Sequence, residues 1–122
     1  MYREPQRRPR GELEADLAAV SSDLVATALI DAAFFEDVEW AFEHLLRASG
    51  DHRPEIVRVA LLGFGALVRR GELPTDRRVW EVLIRALEDP DLAGTAEDTI
   101  DDIEMYGTLG RRVRQRGVEP GG

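Results

Sequence analysis

"AFEHLLRASGD" at residues 41–51 and "VWEVLIRALED" at residues 79–89 superimpose at an offset of 38. Phe42 falls on Trp80, Glu43 on Glu81, Leu45 on Leu83, Leu46 on Ile84, Arg47 on Arg85, Ala48 on Ala86 and Asp51 on Asp89. The helices that follow align at a slightly smaller offset, with Ala60 on Ala96, Phe64 on Ile100 and Leu67 on Ile103. The repeating unit is therefore a helix, a short Asp-containing turn and a second helix. Such a unit cannot bury its apolar face alone and must stack on its neighbours.

Working outward, caps and breakers delimit six helices. Residues 12–20 form a weak first helix with Leu13, Leu17 and Val20 on one face. Ser22 or Asp23 caps a second helix that runs to about Phe35, because a short oxygen-bearing side chain satisfies the free amides of a first turn. A third helix spans about 37–48 and ends near Gly50. Pro54 suits the first turn of a fourth, since its missing N–H is not needed there, and Gly71 suits the position after its end. Thr75 or Asp76 caps a fifth that reaches Leu87, and "GTAEDTIDDIEMY", residues 94–106, is the sixth. Strand-like alternation of β-branched residues is missing, so the predicted class is all-α: a short α-α solenoid of about three helical pairs over residues 11–108.

Here the chain resembles the HEAT-repeat, armadillo-like family. The resemblance is carried by "VWEVLIRALEDPDLAGTAEDTIDDI", by "WAFEHLLRASGDHRPEIVRVALLGFGALV" and by a degenerate unit, "DLAAVSSDLVATALIDAAF". It implies a right-handed α-solenoid whose second helices line a concave face, and it implies no activity, because fold does not give function. "ALLGFGALVRRGELPTDRRV", "DPDLAGTAEDTIDDIEMY" and the three-unit length are also similar to small bacterial HEAT-like proteins linked to toxin–immunity loci. That likeness would imply a stoichiometric inhibitor of a partner toxin. Gly63 and Gly65 depart from the regular pattern and suggest close approach between helices.

Length and composition bound the remaining possibilities. A chain of 122 residues, 43% hydrophobic and 33% charged, is one soluble globular domain by composition. No apolar run approaches the ~20 residues that span a bilayer, and the N-terminus lacks the apolar segment of a signal peptide. Cysteine is absent, which removes thiol nucleophiles and thiolate metal sites and fits a reducing cytoplasm. All 16 basic residues are arginine. Residues 1–10 and 111–122 each carry four arginines against one glutamate, and both segments, 1–10 and 109–122, read as basic flexible tails. With each tail at +3, a net charge of −8 leaves −14 on the body, which would repel phosphate backbones and argues against nucleic acid.

Five carboxylates crowd the sixth helix: Glu97, Asp98, Asp101, Asp102 and Glu104. Ala96, Ile100 and Ile103, at i, i+4 and i+7, form its buried stripe. Acids toward a helix C-terminus oppose the macrodipole, so a compensating cation is expected. The candidates are Arg58, Arg69 and Arg70, the 111–116 arginines, or an external cation. Asp98 and Asp102 could share a hard cation, but no contiguous liganding loop accompanies them, and no metal or cofactor is expected. A ridge of acids offers no pocket in which two carboxylate pKa values could be driven apart, so catalysis is not expected either. A second patch comprises Glu36, Asp37, Glu39 and Glu43, with Trp40 beside it. Trp40 and Trp80 read as core, and either becomes a docking anchor if exposed beside carboxylates. His44 and His52 lack ligand partners, and Ser21 and Ser22 lack a base.

These readings converge on a non-enzymatic, cytoplasmic protein-binding module. Asp98, Asp101, Asp102, Glu104 and Glu97, extended by Glu36, Glu39, Glu43 and Trp40, would dock on a basic protein such as a nuclease toxin. The alternative is a scaffold or self-assembling subunit that uses apolar solenoid surface, with weak homo-oligomerisation. A membrane partner is not expected.

Overall fold

The computed structural model describes residues 4–71 and 77–107. Among them are six α-helices: α1 (Arg10–Leu17), α2 (Ser22–Phe35), α3 (Val38–Ala48), α4 (Pro54–Arg69), α5 (Arg77–Leu87) and α6 (Ala93–Asp102). A five-residue π-helical turn, Ile103–Gly107, extends α6. The described residues hold no strand, and the class is all-α. No helix among them is long and apolar enough to cross a membrane. The caps expected at Thr75 or Asp76, and the tail at 109–122, lie outside the described residues.

The local chemistry at the other ends follows the sequence with small shifts. Ser21 rather than Ser22 caps α2, its hydroxyl accepting from Leu24 N at 3.4 Å, and Asp37 caps α3 by accepting from Trp40 N at 3.3 Å. Pro54 opens α4. Gly71, with φ of +75°, follows the end of α4 in the left-handed region that other residues avoid. The first helix begins two residues earlier and ends three residues sooner than its apolar spacing suggests, because Val20 is not drawn into the core: it is 95% exposed.

The helices stack in two layers. α2 packs on α4, and α4 packs on α6. α1 covers α2, α3 lies against both α2 and α4, and α5 lies against α6. The buried cluster runs through all three pairs, and three pairs of residues matched by the repeat offset occupy matched sites. Leu45 and Leu83 are both buried, as are Ala48 and Ala86, and Ala60 and Ala96. The small residues set the spacing. A Cβ on Gly63 would overlap a Leu45 methyl, so α3 seats Leu45 directly on α4 because that position is bare.

Arginine stitches one unit to the next. Arg53, in the turn before α4, donates through Nη1 to Val20 O at 3.1 Å and to Ser22 Oγ at 3.3 Å. Arg70 donates to Ala33 O at 2.8 Å and Glu36 O at 3.0 Å, satisfying carbonyls around the end of α2. Arg58 reaches Asp91 O at 2.9 Å in the α5–α6 turn. Each uses the planar, multi-donor fork that lysine lacks.

Asp51 holds Arg53 in place. Its carboxylate accepts from Arg53 N, Nε and Nη2 at 2.8, 2.9 and 3.0 Å. Those side-chain bonds pull the Asp51 pKa from 3.8 to about 2, against a smaller opposing push from burial. A depressed folded-state pKa means stability that is present above the ordinary aspartate range and lost as pH falls through the folded value. The wild-type chain is therefore expected to lose stability between about pH 4 and pH 2 by a component missing in Asp51→Asn. Urea midpoints measured across that range would show parallel curves if Asp51 contributed nothing.

Candidate functional site

α6 is placed by its apolar stripe. Ala96 is fully buried and Ile100 and Ile103 are partly buried against the core. Thr99, which the apolar periodicity does not single out, is buried as well, at 2% exposure. Its hydroxyl lies 3.0 Å from Leu61 O and 2.9 Å from Thr95 O and donates there, tying α6 to α4. A buried hydroxyl is tolerated because those carbonyls supply the bond it would otherwise lose.

With α6 rotated in this way, Asp98, Asp101 and Asp102 face a groove of about 440 Å³ along the α2–α4–α6 layer. Its other walls are Ile30 and Phe34 from α2, and Leu62, Gly65, Ala66 and Arg69 from α4. Phe34 and Leu62 are 45% and 49% exposed, so the groove joins open apolar surface to carboxylate. Gly65 makes room for the acid: a Cβ there would stand 2.9 Å from Asp102 Oδ2. Arg69 Nη2 donates to the same oxygen at 2.9 Å. Of the three arginines expected to compensate α6, it is Arg69 that pairs with an acid of that helix. Among the described residues, Glu97, Asp98, Asp101 and Glu104 are exposed and have no ion-pair partner. The groove is thus left with an excess of negative charge.

The second set of acids belongs to the turn before α3 and to α3 itself, and α4 packs between α3 and α6. It is substantially answered within the chain. Glu36 accepts from Arg10 at 2.8 and 2.9 Å, and Glu43 pairs with Arg78 at 3.3 Å. Glu39 is exposed. Trp40 is partly buried: the Arg10 guanidinium stands 4.8 Å over its ring, and the His44 ring lies 4.2 Å from it between centroids, tilted by 52°. Burial, and then the charge of Arg47, lower the His44 pKa. Trp80 differs from the core reading, being 41% exposed.

The N-terminal segment expected as a flexible tail also meets acids. Gln6 N donates to Asp31 Oδ1 at 2.8 Å, and Arg8 Nε donates to Asp31 Oδ2 at 2.9 Å. Arg8 Nη1 reaches Glu12 at 3.1 Å and Asp16 at 2.7 Å. Asp31 is buried on α2, at 1% exposure. Its position was the available signal: a lone acid inside the apolar run "LVATALIDAAFF" must find a cation or lose its charge.

Among the described residues, no group of three His, Asp or Glu is placed to hold a metal ion. Chemically, the α6 groove can bind cationic and apolar groups side by side.

No family model matches this chain, and no curated protein matches it. Among solved structures it is similar to a chain in the crystal structure of a CDI complex from Cupriavidus taiwanensis LMG 19424. The two share 30% sequence identity and superimpose with a TM-score of 0.75, over 87% of this chain and 96% of that one. At that identity and coverage, this chain belongs to the same family as that component of the CDI complex.

Proposed function

We propose that the chain is an immunity-type protein-binding module: a non-catalytic, cytoplasmic inhibitor, built as a short HEAT-like α-solenoid, that docks on a basic toxin. The observation that carries this reading is the relative in a CDI complex, a contact-dependent toxin–immunity assembly, matched along nearly its whole length. Two features favour the immunity side of such a pair. The net charge of −8 suits a partner whose surface must hold phosphates. The α6 groove presents Asp98 and Asp101 without internal partners, next to the apolar Phe34 and Leu62. Charge of that kind accelerates encounter, and apolar contact then slows release.

The test is whether the neighbouring gene encodes a toxin domain and whether the chain binds it, compared with a variant in which Asp98, Asp101 and Asp102 are all replaced by Asn. Association at low salt is expected to slow about tenfold, and its dependence on ionic strength to flatten, as for loss of steering charges. Unchanged association with an unchanged salt slope would remove the groove from the mechanism. Failure of the wild-type chain to bind at all would remove the immunity reading.

A further inference from the structure

In this chain arginines cover aromatic rings. Arg7 stands 5.2 Å over Phe35, Arg10 stands 4.8 Å over Trp40, and Arg78 stands 5.8 Å over Phe42. The last is a contact between units. Arg78, from the third pair, lies over Phe42 of the second and pairs with the adjacent Glu43 at 3.3 Å. At the repeat offset of 38, Phe42 and Glu43 correspond to Trp80 and Glu81. Phe42 is 3% exposed and Trp80 is 41% exposed.

The difference follows from position in the stack. α5 turns Val79, Leu83 and Ala86 into the core. One residue on, Trp80, Ile84 and Leu87 repeat the i, i+4, i+7 spacing and are all exposed, Ile84 at 58%. No described helix follows α6 to cover that second stripe, and among the described residues no arginine stands over Trp80. Among the described residues, Glu81 has only a 3.7 Å contact with Arg77, both side chains being largely exposed.

We infer that Trp80 and Glu81 form an arginine-binding site at the open end of the stack, occupied by an arginine of the protein partner. The guanidinium stacks on the indole and pairs with Glu81, as Arg78 does on Phe42 and Glu43, and an apolar neighbour in the partner rests on Ile84 and Leu87. Charge complementarity and the internal precedent identify the occupant: a surface arginine beside an aliphatic side chain. The inference rests on the basic-partner reading above but uses residues outside the α6 groove.

The experiment takes the full-length chain carrying Trp40→Phe, which leaves Trp80 as the sole indole. The probes are acetyl-Leu-Arg-Leu-Arg-amide and the same peptide with citrulline in place of arginine, which keeps the shape and removes the charge. The arginine peptide is expected to change Trp80 emission saturably at concentrations of about 1 mM, with the citrulline peptide about tenfold weaker and Glu81→Gln weakening the arginine peptide several-fold. Equal responses to the two peptides, or no response, overturn the site. Shielding of Trp80 that grows with protein concentration, alongside a dimer in the ultracentrifuge, overturns it in favour of a second copy. Shielding relieved by replacing Arg111, Arg112, Arg114 and Arg116 together with Gln overturns it in favour of the chain's own arginine. Toxin binding separates the two readings: undiminished binding by Trp80→Leu overturns the arginine site and leaves the groove reading standing.

Discussion

Replacing Arg8 by Ala is expected to lower the unfolding free energy by about 3–5 kcal/mol, the cost of leaving one member of a buried ion pair behind. The Arg8 side chain is only 12% exposed and Asp31 only 1%. Nε donates to Asp31 at 2.9 Å, while Nη1 bridges Glu12 and Asp16. One guanidinium therefore joins the N-terminal segment, α1 and α2. Without it, Glu12, Asp16 and the buried Asp31 lose their common cation. A fall in Tm on the order of 10 °C follows for a chain of this size. The double variant Arg8→Met with Asp31→Leu should recover most of the loss, because apolar replacement of a buried pair is often close to neutral. A single variant that melts within a degree or two of wild type would mean that residues 6–10 do not hold the first pair of helices.

Phe64→Ala should cost about as much, in the range of 3–5 kcal/mol, for a different reason. Phe64 is fully buried in α4, the helix that packs on α2, α3 and α6. Its ring meets Phe42 at 6.0 Å between centroids and a 55° tilt, joining the second pair across its own interior. Truncation removes the apolar transfer energy and leaves a cavity that three flanking helices cannot all collapse into. Against a total stability of about 5–15 kcal/mol for an ordinary domain, much of the chain would unfold at modest denaturant. Phe64→Leu, which keeps most of the volume, should restore all but about 1–1.5 kcal/mol. Urea midpoints for the two variants provide the comparison. Equal midpoints would show that volume at this position is irrelevant, contrary to a close-packed interior.

The six helices were legible because their causes are local. Spacing of apolar residues along α3, α5 and α6 picked out Leu45, Leu83 and Ala96, and all three are buried. Pro54 and Gly71 marked the ends of α4 through backbone restrictions that need no tertiary knowledge. The α6 acids were legible as a cluster, and their exposure follows from the Ala96–Ile100–Ile103 stripe. Their partners were not. Arg58, Arg69 and Arg70 were equally eligible in the sequence, yet Arg69 takes Asp102 while Arg58 and Arg70 serve backbone carbonyls up to 37 residues away. Nor were the partners of the second acidic set: Arg10 and Arg78 pair with Glu36 and Glu43 from helices that only packing brings near.

Periodicity, caps and the 38-residue echo are properties of neighbours along the chain, so the sequence alone determined an all-α stack of paired helices with an acidic last helix. Which arginine meets which acid, which tryptophan is covered and where a bare Gly65 admits Asp102 depend on residues tens of positions apart. Those choices are decided by how helices rotate and lean once their apolar stripes are buried. Trp40 and Trp80 make the contrast plain: both sit on amphipathic helices, but Arg10 covers the first, while the second is 41% exposed with no arginine over it among the described residues.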